Sequence, residues 1–309
     1  MGRQSILALL FIVAGCAAAG AQDLGNVNPQ ALPPVDPADP KISAKEIFGR
    51  KLTPFEGPAQ AIGFYTSGCL VGGVALPING KTWQVMRLSR NRNWGHPNII
   101  KFLERFSEKA QAIGWNGLLV GDMAQPRGGP MRTGHLSHQV GLDADIWLSP
   151  MPAREFTRQE REVTMATNVV ADDWKDVNPK IWSPTHIALL KAAATDPEVE
   201  RVLVNPAIKK ALCRDVKDDR SWLHKMRPVP GHNYHFHVRI SCPPDSTTCK
   251  AQPATPNDEG CGKDLDAWFK KISKPSPPQP PKPDAKPIKP RIIPLSSLPP
   301  ACRKLALTP

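Results

Sequence analysis

The sequence predicts an α+β fold, and three observations support this prediction. Short alternating segments that are typical of strands, such as Trp83 to Leu88, are interspersed with segments of helical periodicity. Their spacing does not follow the regular βαβ pattern of a doubly wound sheet. With 309 residues, of which 40% are hydrophobic, the chain is long enough to form a sizeable core.

Local patterns predict where individual elements begin and end. Apolar residues recur at helical spacing from Ile99 to Ile113, and Gly114 is expected to end that helix. A short strand is expected from Leu118 to Val120. Three further helix starts are marked by a capping box or by an N-cap residue before a proline: Thr157 with Glu160, Ser183 with Pro184, and Asn205 with Pro206.

The two ends of the chain differ in composition from its middle. Residues 1–21 have the pattern of an export signal, or of a lipoprotein signal that ends just before Cys16. Residues 22–59 are rich in proline and are interpreted as a linker. Residues 60–272 are interpreted as the folded catalytic domain, and residues 273–309 as a tail dominated by proline and lysine.

Cysteine usage indicates an oxidising compartment. Of the seven cysteines, Cys16 lies in the export signal, which leaves an even set that can form up to three disulfides. If Cys302 pairs with a cysteine of the core, the tail is held against the domain. The remaining set is Cys69, Cys213, Cys242, Cys249, Cys261 and Cys302.

A formal net charge of +12 indicates attraction to an acidic partner, although a solvated basic surface explains it equally well. Export argues against nucleic acid. In a bacterial envelope, the available acidic partners are carboxylate-rich wall peptides, wall polymers and lipid head groups. Membrane contact is expected only if Cys16 is lipidated, and the oligomeric state is open, with a homodimer as one option.

One histidine-rich segment contains the pattern HxxHxxxxxxD, formed by His135, His138 and Asp145. After Gly141, polar and apolar residues alternate with the period of a strand, so Asp143 and Asp145 should share one face. Glycines flank the two histidines, which predicts that they lie on a loop.

A second segment, residues 231–240, alternates in the same way, so His235, His237 and Arg239 should also share one face. Hydrolase zinc sites usually have three protein ligands from His, Asp or Glu and keep one position for water. We expect His138 and Asp145 to bind one zinc ion together with His237.

Other polar residues near these segments have several interpretations. His235 is the best candidate for proton transfer, since it emerges beside a ligand. His135 and His232 could each bind the metal or orient a ligand by a hydrogen bond. Asp143 is interpreted as a supporting carboxylate. Arg132 and Arg239 could each anchor a substrate carboxylate, with a structural salt bridge as the equal alternative.

These motifs resemble those of the penicillin-insensitive murein endopeptidases, which belong to the lysostaphin, D-Ala-D-Ala metallopeptidase and hedgehog group of zinc folds. Beyond SHQVGLDADI and HFHVR, the resemblance includes GCLVGG, WQVMRLSRNRNWGHP, GDM, VNPAIKKALC and CGKDL, and it covers residues 60–269. It implies an α+β fold with a small central antiparallel sheet. It also implies penicillin-insensitive hydrolysis of D-alanyl to meso-diaminopimelyl cross-links of peptidoglycan in the periplasm.

The resemblance further implies roles for individual residues. By this resemblance, the zinc ligands would be His138, Asp145 and His237, with His135 as a further metal contact. His235 would be the catalytic base. Its disulfides would join Cys69 to Cys302, Cys213 to Cys261, and Cys242 to Cys249.

A second metal site is not expected. Asp173 and Asp176 are the candidates for it, but the family pattern has an Asp and a His in this region, and this chain has no histidine there. Acidic runs are also commonly solvated faces.

Two other functions use the same residues. A zinc D,D-carboxypeptidase would trim terminal D-alanine instead of cutting cross-links. A non-catalytic module that binds the wall would keep a structural zinc, but His235 beside His237 argues against it.

Overall fold

The computed structural model describes residues 22, 24–39, 41–271 and 292–309. The expected export signal, including Cys16, and residues 273–291 of the expected tail lie outside the described residues. Among the residues that are described, no helix is both long enough and apolar enough to span a bilayer.

Helices and short strands alternate along the chain. The helices in the described residues are α1 (Ala44–Phe48), α2 (Pro97–Ala112), α3 (Arg158–Val163), α4 (Pro184–Ala194), α5 (Pro206–Asp215), α6 (Lys263–Lys271) and α7 (Pro300–Leu307). The strands are β1 (Gln60–Phe64), β2 (Ser67–Val71), β3 (Val74–Ala75), β4 (Asn79–Gly80), β5 (Trp83–Val85), β6 (Trp94–Gly95), β7 (Leu118–Val120), β8 (Asp143–Trp147), β9 (Val199–Val204), β10 (Met226–Pro228) and β11 (His235–Ile240). Short 3-10 helices cover Leu88–Arg90, Ser221–Lys225 and Leu295–Ser297.

A mixed sheet of seven strands forms the centre of the molecule, in the order β10-β9-β11-β8-β7-β5-β4. Its middle, from β9 to β7, is antiparallel, whereas β10 with β9 and β5 with β7 are parallel. Each parallel pair is connected through a helix, α5 or α2, as parallel pairing requires. The α+β prediction is confirmed, and the outer pairs add parallel strands to the expected antiparallel sheet.

Most of the predicted helix boundaries agree with the structure. Helix α2 precedes Gly114, whose φ of +87° lies in the left-handed region. The capping box is present, since Glu160 N–H donates to Thr157 Oγ1 (3.2 Å) and Thr157 N–H donates to Glu160 Oε2 (2.8 Å). The strand predicted to reach Leu88 ends earlier, because Arg87 adopts a left-handed φ of +59° that a strand cannot accommodate.

One face of the sheet is apolar and packs against helices. Ile146 of β8 and Phe236 of β11 are fully buried, and the Phe236 ring packs edge-on against Phe106 of α2, with centroids 6.3 Å apart. A fully buried side chain of this size contributes about 1.5–3 kcal/mol to stability. The opposite face of the same strands is therefore free to present polar groups from a rigid support.

The segment expected to be a linker is partly folded. Within residues 41–59, helix α1 buries Ile47 and Phe48 in a second apolar cluster with β2 and α7. Arg127 holds the end of α7 by donating to the carbonyl oxygens of Leu305 (3.0 Å) and Thr308 (2.8 Å). The apolar residues of both segments bury each other here, so part of the expected linker is folded and the end of the expected tail is held against the domain.

Three disulfides connect segments of the described chain around the sheet. They join the pairs that the family resemblance implies. One of them connects β2 to α7 and so fastens the C-terminal segment to the second cluster. The pairs are Cys69 with Cys302, Cys213 with Cys261, and Cys242 with Cys249.

Removal of the disulfide between Cys69 and Cys302 should lower the free energy of unfolding by about 2–4 kcal/mol. Its cysteines are 233 residues apart, so the unfolded chain gains much freedom when they are replaced by serine. The matched control is the serine pair at Cys242 and Cys249, which are only 7 residues apart and should cost less. Denaturant titration measures both losses, and equal losses would contradict this reasoning.

Candidate metal centre

Two neighbouring strands place acidic and imidazole groups on one polar face. In the antiparallel pair β8 and β11, Asp145 lies opposite His237 and Asp143 lies opposite Arg239. Directly opposed residues share a face, so the predicted alternation of both strands brings these four side chains together. His237 and Asp145 are 2% and 4% exposed, which means that their geometry is fixed by packing.

His138 reaches the same face from the loop before β8. Its backbone has a left-handed φ of +66°, which is unfavourable for a residue other than glycine. The backbone N–H of His138 donates to Asp143 Oδ2 (2.9 Å), which helps to hold this conformation. The His138 ring is fully buried and its centroid lies 4.5 Å from the rings of both His135 and His237.

The buried atoms of this cluster are the donor set of a metal site. His138 Nδ1 and Nε2, Asp145 Oδ1 and His235 Nδ1 are buried and make no hydrogen bond to the described residues. Buried polar atoms in proteins are nearly always satisfied, so these unsatisfied atoms fit a bound cation. The ligand atoms of His135, His138 and Asp145 lie within 4.8 Å of one another. Imidazole and carboxylate groups at such distances suit a divalent metal.

A buried ion pair between Arg239 and Asp143 supports the cluster. Arg239 donates to both carboxylate oxygens of Asp143, at 2.7 and 3.1 Å. His237 Nε2 lies 3.2 Å from Asp143 Oδ1, and His237 Nδ1 lies 3.2 Å from Asp145 Oδ1. Burial opposes a charge on His237, but the carboxylate of Asp143 outweighs it and raises the pKa of His237 to about 9. A bound metal would displace this proton.

Asp122 anchors His135, and sequence reasoning missed this residue. Asp122 Oδ2 accepts from His135 Nε2 (2.9 Å), from Arg90 (2.8 Å) and from Arg92 (2.8 Å). The other ring nitrogen of His135 is directed to Asp145 Oδ2 at 3.5 Å. The sequence signal that could have identified Asp122 is the GDM motif directly after β7. Its position at the end of that strand places Asp122 at the edge of the cluster.

His235 and His232 lie side by side next to the cluster. Their ring centroids are 4.7 Å apart, and His235 Nε2 is 3.6 Å from Asp145 Oδ2. His232 Nδ1 donates to the carbonyl oxygen of Pro230 (2.9 Å). Burial lowers the pKa of His235 and lowers the pKa of His232 to about 3, so both rings are neutral near pH 7.

Three other residues that the sequence suggested lie outside the cluster. Arg132 forms an ion pair with Glu46 of α1 (2.9 Å). Asp176 is paired with Arg214 (2.7 Å), and Asp173 accepts a backbone hydrogen bond within its own loop. None of the three belongs to the described group of mutually close metal-ligand atoms.

Comparison with known proteins assigns the chain to a family. A family model described as penicillin-insensitive murein endopeptidase matches residues 61–307. The chain belongs to this family. The match contains every residue of the metal cluster and all three disulfides.

Curated proteins with the name penicillin-insensitive murein endopeptidase are similar to most of the chain. The one from Haemophilus influenzae is 46% identical over 228 residues, which are 71% of this chain and 79% of the relative. The one from Yersinia enterocolitica is 45% identical over 252 residues, with coverages of 82% and 87%. The Escherichia coli protein is 42% identical over 257 residues, with coverages of 83% and 89%.

In this member of the murein endopeptidase family, the cluster opens into a pocket of about 130 Å³. Two arginines bring positive charge to its lining, and Tyr234 and Trp147 supply aromatic surface. The lining residues are Gln22, Arg87, Arg90, Gly121, Asp122, Gly134, His135, Asp145, Trp147, Tyr234 and His235. The buried groups therefore lie beside an open cavity.

Replacement of Asp143 by asparagine should weaken divalent-metal binding by about 10–100-fold. Asparagine keeps the size of the side chain, but it neither balances Arg239 nor holds His237 with a full negative charge. Competition with a chromogenic chelator measures the affinity. The matched control is Asp173→Asn, which changes an exposed aspartate outside the cluster. An unchanged dissociation constant in folded Asp143→Asn protein would exclude this supporting role.

Proposed function

We propose that the protein is a zinc-dependent endopeptidase that hydrolyses the D-alanyl to meso-diaminopimelyl cross-links of peptidoglycan in the periplasm. The observation that carries the proposal is the set of unsatisfied buried imidazole and carboxylate atoms beside an open pocket. Membership of a murein endopeptidase family supports the class of bond and the class of substrate.

His138, Asp145 and His237 are the residues that would hold the zinc ion, with His135 as an additional contact. Three protein ligands leave a position for water, which is the arrangement of catalytic zinc sites. Bound zinc supplies Lewis acidity that polarises a carbonyl group and makes a bound water more acidic. One zinc ion per chain is sufficient for this chemistry.

His235 is the group that would move the proton. It lines the pocket, its ring is neutral, and its buried Nδ1 makes no hydrogen bond to the described residues. During hydrolysis, water adds to the carbonyl carbon, the C–N bond breaks, and one proton passes to the leaving amine. His235 accepts that proton from the water and donates it to the amine, while His232 packs beside its ring.

The overall charge of the chain suits an acidic substrate. The chain carries a net charge of +12, whereas murein peptides are rich in carboxylates. β-Lactams inhibit by acylating an active-site serine, and no serine occurs among the described lining residues. Insensitivity to penicillin follows from this chemistry.

Removal of zinc should abolish the release of peptide fragments from purified sacculi, and added Zn²⁺ should restore it. His138→Ala and His237→Ala should lose activity in the same way, since each removes one ligand. Separation of the products identifies the reaction: conversion of dimeric muropeptides to monomers indicates an endopeptidase.

Four results would contradict this proposal. Release of free D-alanine without loss of dimers would indicate a carboxypeptidase. Binding to sacculi without any soluble product would indicate a wall-binding module. Full activity of the metal-free protein, or stoichiometric inhibition by penicillin, would exclude the zinc mechanism.

His235→Ala should reduce kcat by about 10²–10⁴-fold while the protein still binds one zinc ion, since this residue transfers a proton rather than holding the metal. Elemental analysis gives the zinc content and muropeptide cleavage gives kcat. His224→Gln is the matched control, because His224 contacts Thr255 outside the pocket. Loss of zinc from His235→Ala would instead make His235 a ligand.

A further inference from the structure

The start of the described chain lies along the catalytic cleft although it is not part of the family match. Residues 22 and 24–34, here called the N-terminal strap, precede the matched residues 61–307. Gln22 nevertheless lines the same pocket as His235 and Asp145. The proposed chemistry does not use this segment, so its position requires another explanation.

Specific hydrogen bonds attach the strap to the body of the protein. The Gln22 side chain donates to the carbonyl oxygen of Ala166 (2.6 Å) and accepts from its N–H (2.8 Å). Further along, the Gly25 N–H donates to the Glu162 carbonyl oxygen (2.9 Å), and the Asn26 N–H donates to Ser89 Oγ (2.9 Å). These contacts fasten one end of the strap beside α3 and the loop that follows it.

The second half of the strap is attached at another point. Arg50, just beyond α1, donates to the carbonyl oxygen of Pro33 (2.8 Å). Between the two attachments the strap forms a wall of two cavities that share Arg90 with the catalytic pocket. The strap therefore lines the catalytic pocket at Gln22 and two neighbouring cavities along the rest of its length.

Gly25 fits closely against the body at the attachment point. A Cβ atom at this position would lie 1.6 Å from Glu162 Oε2 and 3.1 Å from Ser89 Oγ. Glu162 cannot move without loss, because its carboxylate accepts from the N–H and hydroxyl of Ser89, both at 2.8 Å. A larger residue at position 25 would therefore displace the strap.

The size of the pocket indicates what the strap does. Pockets that enclose a ligand usually measure about 300–1,000 Å³, whereas the catalytic pocket measures about 130 Å³ with Gln22 at its wall. A murein cross-link has peptide on both sides of the scissile bond and, in intact wall, glycan beyond. In intact wall, the glycan strands beyond these peptides need room beside the pocket, where the attached strap lies.

We propose that the N-terminal strap selects substrates by narrowing the cleft: slender soluble muropeptides enter with the strap attached, whereas cross-links in intact sacculi require its displacement. This inference rests on the proposed endopeptidase function. The strap is held by few hydrogen bonds, two of which are exposed, so its displacement costs only a modest free energy. That free energy lowers the apparent kcat/KM on bulky substrates.

The test compares two substrates and two strap variants in the full-length zinc enzyme. Gly25→Leu should displace the strap, and Gly25→Ala, which adds only the Cβ atom that would clash with Glu162, should displace it to a smaller extent. Each should raise kcat/KM on intact sacculi, about tenfold for Gly25→Leu, and should change kcat/KM on a purified dimeric muropeptide by less than about twofold. Ala38→Leu adds similar bulk at an exposed position after the strap, and it should change neither of the two kcat/KM values.

Hydrogen–deuterium exchange reports on the strap independently of activity. Peptides from residues 24–34 should exchange faster in Gly25→Leu than in wild type, while the zinc content and the melting temperature stay the same. If the strap exchanges faster and the ratio of the two kcat/KM values equals that of wild type, the inference is wrong. If wild-type enzyme cleaves neither substrate, the proposed function itself fails, so the two failures are distinguishable.

Discussion

The ion pair between Asp143 and Arg239 is the interaction on which the candidate metal centre depends. Both side chains are buried, so each charge needs the other, and loss of one partner from such a pair costs about 3–5 kcal/mol. Arg239 is held in turn by Tyr65, whose ring lies 4.0 Å beneath the guanidinium group. Through its two oxygens, one carboxylate fixes both the backbone of His138 and the ring of His237. His138 on the loop and His237 in the sheet are thus both held by the Asp143 carboxylate.

The loop that carries His138 also depends on the terminal segments of the chain. At Gly129, a Cβ atom would lie 2.3 Å from the ring of Phe48, so α1 packs directly under this loop. The side chain of Gln139 donates to the Thr66 carbonyl oxygen (2.8 Å) and accepts from the N–H of Gly68 (3.2 Å), which ties the loop to β2. Strand β2 is itself joined to α7 by a disulfide. The termini therefore stabilise the loop geometry that the metal site requires.

Much of the fold and part of the site could be predicted because the relevant information is local. Period-two alternation in β8 and β11 predicted which side chains share a face, and the packing of the apolar side on helices fixes that arrangement. Asp122 could not be recognised in the same way, since its role arises only when the end of β7 meets the loop of His135. The burial of Phe48 could not be predicted either. The prolines around it suggested a linker, and its partners in α7 are some 250 residues away in sequence.

The division of the molecule into a rigid face and attached segments has a chemical consequence. The groups assigned to hydrolysis come from β8, β11 and a braced loop, where packing leaves little freedom for a ligand to move. The N-terminal strap is joined to this body by a few hydrogen bonds at its edge, so it can shift without disturbing the metal cluster. Access to the cleft can therefore change, through residues outside the family match, while the geometry of the reacting groups remains the same. A wall of this kind alters which peptides reach the site, whereas a change within the sheet alters the reaction itself.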